Sequence, residues 1–133
     1  MSDNNFQNQF NTVDSTSQFT PQDINDNKVM GILAYIGILV LIPIFAAPQS
    51  KYARFHANQG LVLFIIELIY GVITTVITSI FTMMHLFTIA LIVGSLLGLV
   101  SIVFLVFMIL GIVNVVNGTA KTLPIIGNVK ILK

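Results

Sequence analysis

Apolar residues fall in three long runs, roughly Val29 to Ala47, Gly60 to Met84 and Leu86 to Val116, with polar residues pushed to the ends and gaps. A helix needs about 20 apolar residues to cross the hydrocarbon core of a bilayer. The pattern therefore predicts three membrane-spanning helices. The third run holds 31 residues, about 46 Å as a helix. Halved, it would give pieces of about 15 residues, too short to span, so it reads as one long tilted helix starting around Phe87 to Ala90. The expected fold is all-α: an integral membrane three-helix bundle with a disordered N-terminal tail and a C-terminal interfacial segment. The tail covers 1–20, and 21–133 is a single membrane domain with helices at about 21–47, 52–83 and 88–118.

Local signals refine this outline. The first 20 residues are rich in Asn, Gln, Ser and Thr, with Phe6, Phe10 and Phe19 scattered among them. Such a stretch buries too little apolar surface to offset its ordering entropy. It has no basic start and no apolar core before Val29, so it does not read as a signal peptide. Thr20-Pro21-Gln22-Asp23 has the form of a helix start: a hydroxyl cap, proline at the first helical position and a carboxylate in the first turn. Pro43 should kink the first helix and Pro48 should end it. The C-terminal stretch from Lys121 to Lys133 mixes apolar and basic residues and suits a membrane surface.

Charge sets the expected orientation. Lys51 and Arg54 lie in the first connector, Lys121, Lys130 and Lys133 at the C-terminus, and no charge in the second connector. Basic short loops stay in the cytoplasm. Three crossings put both basic segments on that side. The expectation is a multi-pass protein of the bacterial cytoplasmic membrane, N-terminus outside and C-terminus cytoplasmic. Lys51, Arg54, Lys130 and Lys133 would contact lipid headgroups.

Composition narrows the chemistry. Only 8% of residues are charged and the mean hydropathy is +0.94, whereas soluble domains carry about 25% charged residues. Cysteine is absent, and His56 and His85 have no ligand-spaced partners. No metal site and no cofactor are expected. No nucleophile elbow, phosphate loop or carboxylate pair appears, so an enzyme is not expected. The basic residues fit orientation and anionic lipid better than nucleic acid.

One carboxylate, Glu67, lies within an apolar run. At 100° per residue it shares a stripe with His56, Gly60, Leu63, Gly71, Thr74 and Thr78. A carboxylate in hydrocarbon is costly and marks a candidate functional position. The expected intramembrane polar cluster joins Glu67 and His56 to Gln59, Asn114, Asn117 and Lys121, with Asn114 or Lys121 as the partner of Glu67. Gly94, Gly98 and Ser101 form a small-residue pattern and, with Gly71 and Thr74, are expected in helix packing.

The segment Tyr52-Ala53-Arg54-Phe55-His56-Ala57-Asn58-Gln59-Gly60 resembles the F-H-x-x-Q entry to the second helix of a group of small bacterial membrane proteins. These are named for their likeness to a chloroplast import component of the Tic type and are distantly related to magnetosome membrane proteins. Gly111-Ile112, Asn117-Gly118, Leu123-Pro124-Ile125-Ile126-Gly127 and the leading Asn27 to Tyr35 are similar too. The resemblance spans roughly residues 21 to 133. It implies a helical membrane protein, with protein import as an analogy. Magnetosome proteins of a related type act on crystal growth through acidic loop residues, and the second connector here has none.

Two functions compete. One is a non-enzymatic module that oligomerises or docks on a larger membrane complex, its partners being membrane lipids and itself or another membrane protein. The other is a small channel, transporter or import-like subunit using Glu67.

Overall fold

The computed structural model describes residues 13–132, so Phe6, Phe10 and Lys133 lie outside it. All regular elements are helical: α1 Pro21–Asp26, α2 Lys28–Leu33, α3 Leu41–Ala46, α4 Lys51–Met83 and α5 Phe87–Val116, with 3₁₀ turns at Thr16–Gln18 and Gly37–Val40. Helices α4 and α5 are the two that are long and apolar enough to cross a membrane. They run antiparallel about a tight turn. His85 takes a left-handed conformation there (φ 60°), and the Leu86 N–H closes on the Phe81 carbonyl at 2.9 Å. Histidine tolerates this conformation better than most residues.

The first apolar run does not form the single helix expected over 21–47. It breaks after Leu33. Tyr35 and Ile36 leave helical geometry and Gly37 is left-handed (φ +51°). The chain then returns through α3, and α2 and α3 pack against each other. The return is fixed at its mouth: the Asp23 carboxylate accepts from the Ser50 hydroxyl at 2.5 Å and the Tyr52 N–H at 3.0 Å. Asp23 opens α1 and Ser50 caps α4, its Oγ accepting from the Ala53 N–H at 2.9 Å. Residues 24–49 thus leave one level and come back to it, so the first run is a re-entrant hairpin. Hydropathy alone cannot distinguish this from a span, because both are equally apolar.

The termini follow the same geometry. Ser15 N–H bonds the Ala120 carbonyl at 2.9 Å, Thr122 N–H bonds the Val13 carbonyl at 3.1 Å, and Asp14 pairs with Lys121 in an antiparallel bridge. Phe19 packs edge-on against Tyr52 and Phe55, ring centres 5.8 and 5.7 Å away. Residues 13–20, expected within the disordered tail, are held by the C-terminal segment. Residues 13–15 thus lie directly beside 120–122 and not at the far end of the molecule from them. The molecule is a two-helix hairpin rising from a folded base made of the N-terminal segment, the re-entrant hairpin, the first turns of α4 and the C-terminal segment.

Close packing concentrates in the base. A Cβ at Gly60 would overlap the Ala34 carbonyl, one at Gly111 would overlap the Tyr35 ring, and one at Gly31 would come within 2.8 Å of Val115. In the upper hairpin, Tyr70 donates to the Leu97 carbonyl at 2.5 Å and its ring meets Phe104 at 5.2 Å. Most other apolar side chains of the upper hairpin are exposed.

Candidate functional site

The polar residues separate into two groups. The first fills the base. His56 is fully buried. Its Nε2 faces the Thr119 carbonyl at 3.0 Å and its Nδ1 faces the Tyr35 hydroxyl at 2.8 Å. A carbonyl only accepts, so Nε2 carries the proton; in the neutral ring Nδ1 then accepts from Tyr35. The Tyr52 hydroxyl also donates to the Thr119 carbonyl, at 3.2 Å. Three aromatic rings, those of Tyr35, Tyr52 and Phe55, enclose the imidazole with centres 4.7 to 5.7 Å away.

One turn along, two side-chain amides read the C-terminal backbone. Gln59 Oε1 accepts from Leu123 N–H and Nε2 donates to the Gly127 carbonyl, both at 2.9 Å. Asn58 Nδ2 donates to the Val129 carbonyl at 2.9 Å, and its Oδ1 accepts from Ile131 N–H at 2.7 Å and Leu132 N–H at 3.0 Å. These side chains do for the C-terminal segment what a neighbouring strand would do, satisfying backbone groups that burial would otherwise strand. The F-H-x-N-Q pattern is therefore a clasp. Pro124 leads into a tight turn in which Ile126 N–H bonds the Pro124 carbonyl at 2.7 Å. Ile125 sits left-handed at its tip (φ 68°) with 69% of its surface exposed.

Asn114 belongs to this base. Its carbonyl takes both the Thr119 N–H at 2.8 Å and the Thr119 hydroxyl at 2.9 Å, and its Nδ2 reaches the Lys121 carbonyl at 3.4 Å. Asn117 caps the end of α5 and is exposed. Lys51 is exposed at the start of α4, Arg54 is half-buried and engaged within the chain, and Lys130 is exposed. Asp14 accepts from the Thr16 hydroxyl and, at 2.9 Å, from the Thr16 N–H; these bonds, the hydroxyl first, hold its carboxyl below the usual range.

Glu67 stands apart. It is the seventeenth of 33 residues in α4, at the middle of the helix. It meets neither Asn114 nor Lys121, the partners expected for it, and makes no hydrogen bond or ion pair among the described residues. The reason is register. Tyr70, less than one turn from Glu67, lies against Phe104, and Asn114 is ten residues beyond Phe104, about 15 Å along α5. Glu67 instead lines an open groove on the outside of α4 with Phe64, Leu68, Gly71, Val72, Thr75 and Val76. Gly71 and Gly98 have nothing within 4 Å of an added Cβ, and Gly94 meets only Thr78 at an ordinary 3.5 Å. Ser101 turns back to the Leu97 carbonyl at 3.4 Å. Thr74 Oγ1 is buried without a partner.

The sequence pattern groups Glu67, His56, Gln59, Asn114, Asn117 and Lys121 in one cluster; it marks Asp23 only as part of a helix start and does not single out Ser50, Tyr35, Asn58 or Thr119 for the site. Asn58 was visible beside Gln59. The others become legible only once the re-entrant hairpin brings distant segments together. Among the described residues no three His, Asp or Glu side chains gather where they could hold a metal ion.

Two long apolar helices on a folded polar-cored base define an all-helical membrane protein. The chain matches the model of the magnetosome magnetite crystal formation protein family (MamF/MmsF) over residues 26–130. It belongs to that family. The match carries the relation to magnetosome proteins expected from the sequence, and not the likeness to the import component. No curated protein and no solved structure matches the chain.

Proposed function

We propose that this protein is a non-enzymatic membrane module whose hairpin inserts from one side of the bilayer and pairs, through the Glu67 groove, with a second copy of itself. The observation that carries this reading is the unpartnered carboxylate at the centre of α4, set in a groove floored by Gly71. Acidic side chains in a span face a protein interior or a wet cavity, not lipid tails. Parallel copies related by a two-fold axis normal to the membrane bring identical patches together. Glu67 then meets Glu67, and the two carboxyls share a proton, while Gly71 permits close approach.

The same geometry orients the protein. Lys28, Lys51, Arg54, Lys121 and Lys130 all belong to the base, and the α4–α5 turn carries none. Basic residues favour the cytoplasm, so both ends of the described chain lie there. The family name concerns magnetite crystal formation. A surface that contacts mineral directly needs exposed carboxylates. The far turn has none; Asp23 is engaged by Ser50 and Tyr52, and the exposed Asp14 and Asp26 sit on the base, on the same side as the basic residues. A role in organising the membrane that encloses a crystal fits these residues better than contact with the crystal.

The chain lacks cysteine, so single replacements report cleanly. Gly71→Cys in membranes should crosslink into dimers on oxidation, and Val103→Cys on α5 should not. Glu67→Gln should retain the dimer and Glu67→Lys should lose it. Absence of a Gly71→Cys dimer, or equal crosslinking at both positions, refutes the pairing.

A further inference from the structure

The base carries a second concavity that the clasp does not use. It is about 500 Å³ in volume and lies between the first turns of α4, the end of the C-terminal segment and the N-terminal segment. Arg54 from α4 and Lys130 from the C-terminal segment line it, with Gln18 and Asn128 as further donors and Phe55 and Leu132 as apolar lining. Among the described residues no Asp or Glu lines it. The amides of Asn58 and Gln59, also on its wall, are occupied by backbone. What remains for a ligand is positive charge beside apolar surface.

We propose that this cavity binds the headgroup of an anionic phospholipid. Arg54 has a partner within the chain, but a guanidinium carries five N–H donors in a fork suited to phosphate. Lys130 supplies a second, mobile cation. The α4 residues on the cavity wall, Arg54, Phe55, Asn58 and Gln59, belong to the first turns of that helix, and basic residues at the cytoplasmic end of a span meet the anionic leaflet. Ile125, Val129 and Ile131 are exposed along the same segment. Ile125 in particular is held outward at the tip of a turn that a β-branched residue adopts only under strain. A headgroup in the cavity puts its acyl chains alongside these residues. A free inorganic anion would leave them in water.

The test is thermal unfolding of the full chain in neutral detergent, with phosphatidylglycerol, phosphatidylcholine or inorganic phosphate added. Phosphatidylglycerol should raise the midpoint and the other two should not. Lys130→Gln should weaken the phosphatidylglycerol effect about fivefold, the share of one lysine near an anionic surface. Lys130 is exposed, so this variant keeps its fold even if Arg54→Gln does not. Lys51→Gln, at the same surface but outside the cavity, should weaken it clearly less than Lys130→Gln. Equal stabilisation by phosphatidylcholine overturns the proposal. So does stabilisation by phosphate alone, or a loss in Lys51→Gln as large as in Lys130→Gln, which would mean a diffuse surface charge and no site.

Discussion

Replacing Gln59 with leucine removes the centre of the clasp while keeping an apolar side chain of similar bulk. Gln59 is 2% exposed, and its two bonds hold Leu123 N–H and the Gly127 carbonyl, both in buried residues. Leucine leaves both backbone groups without a partner. An orphaned buried group costs about 1–3 kcal/mol. Two of them would cost about 2–6 kcal/mol, and the nearby cavity lets water recover part of that, leaving about 2–4 kcal/mol. At 1.4 kcal/mol per factor of ten, local opening of the C-terminal segment should increase by roughly 30- to 700-fold. Amide hydrogen exchange reads this directly: Leu123 and its neighbours should lose protection by that factor, while amides in the middle of α5 keep theirs. Asn58, still in place, should hold residues 129–132 more firmly than 123–127. Unchanged protection at Leu123 would show that the amide contributes nothing and that packing alone secures the segment.

Two further outcomes follow from the same geometry. Gly60→Ala should prevent the base from forming, because the new methyl group meets backbone at Ala34 that cannot yield, whereas Gly98→Ala should fold normally; detergent-resistant trypsin protection of the base separates the two, and an intact Gly60→Ala base would refute the close approach. Single cysteines at Asn25 and Gln49, both exposed, should label with an impermeant reagent from the same side of the membrane, and His85→Cys from the other; labelling of 25 and 49 from opposite sides would restore a third span.

The two long helices were legible because apolar length and end signals coincide. The expected spans of 52–83 and 88–118 compare with Lys51–Met83 and Phe87–Val116. The start at Thr20 was legible for a local reason too: its side chain accepts from the Asp23 N–H at 3.2 Å. The first run was misread because its apolar length is that of a span. The decisive features are the left-handed Gly37 and the bonds of Asp23 to Ser50 and Tyr52, and the latter are contacts across nearly thirty residues. Residues 13–20 depart from the expected disorder for a related reason. Ser15 and Thr16 look solvated by composition, yet they complete the hydrogen bonding of Ala120. Glu67 meets neither of the neighbours expected for it, since helix periodicity fixes a stripe without fixing which residues of another helix stand opposite.

The clasp also sets an order of events during synthesis. The Gln59 acceptor and the Leu123 N–H it receives are separated by 64 residues, and Asn58 waits longer still for Ile131 and Leu132. At roughly 5–20 residues per second, the ribosome takes about 3 to 13 s to deliver Leu123 after Gln59. During that interval the rest of α4 and all of α5 are made, while His56 still lacks Thr119 and Asn58 and Gln59 lack their backbone partners. Residues 123–132, which follow both long helices, are those that close the base. A nascent chain halted just before them would carry a finished hairpin and an open, hydrogen-bond-hungry mouth, the kind of surface that chaperones and membrane proteases recognise.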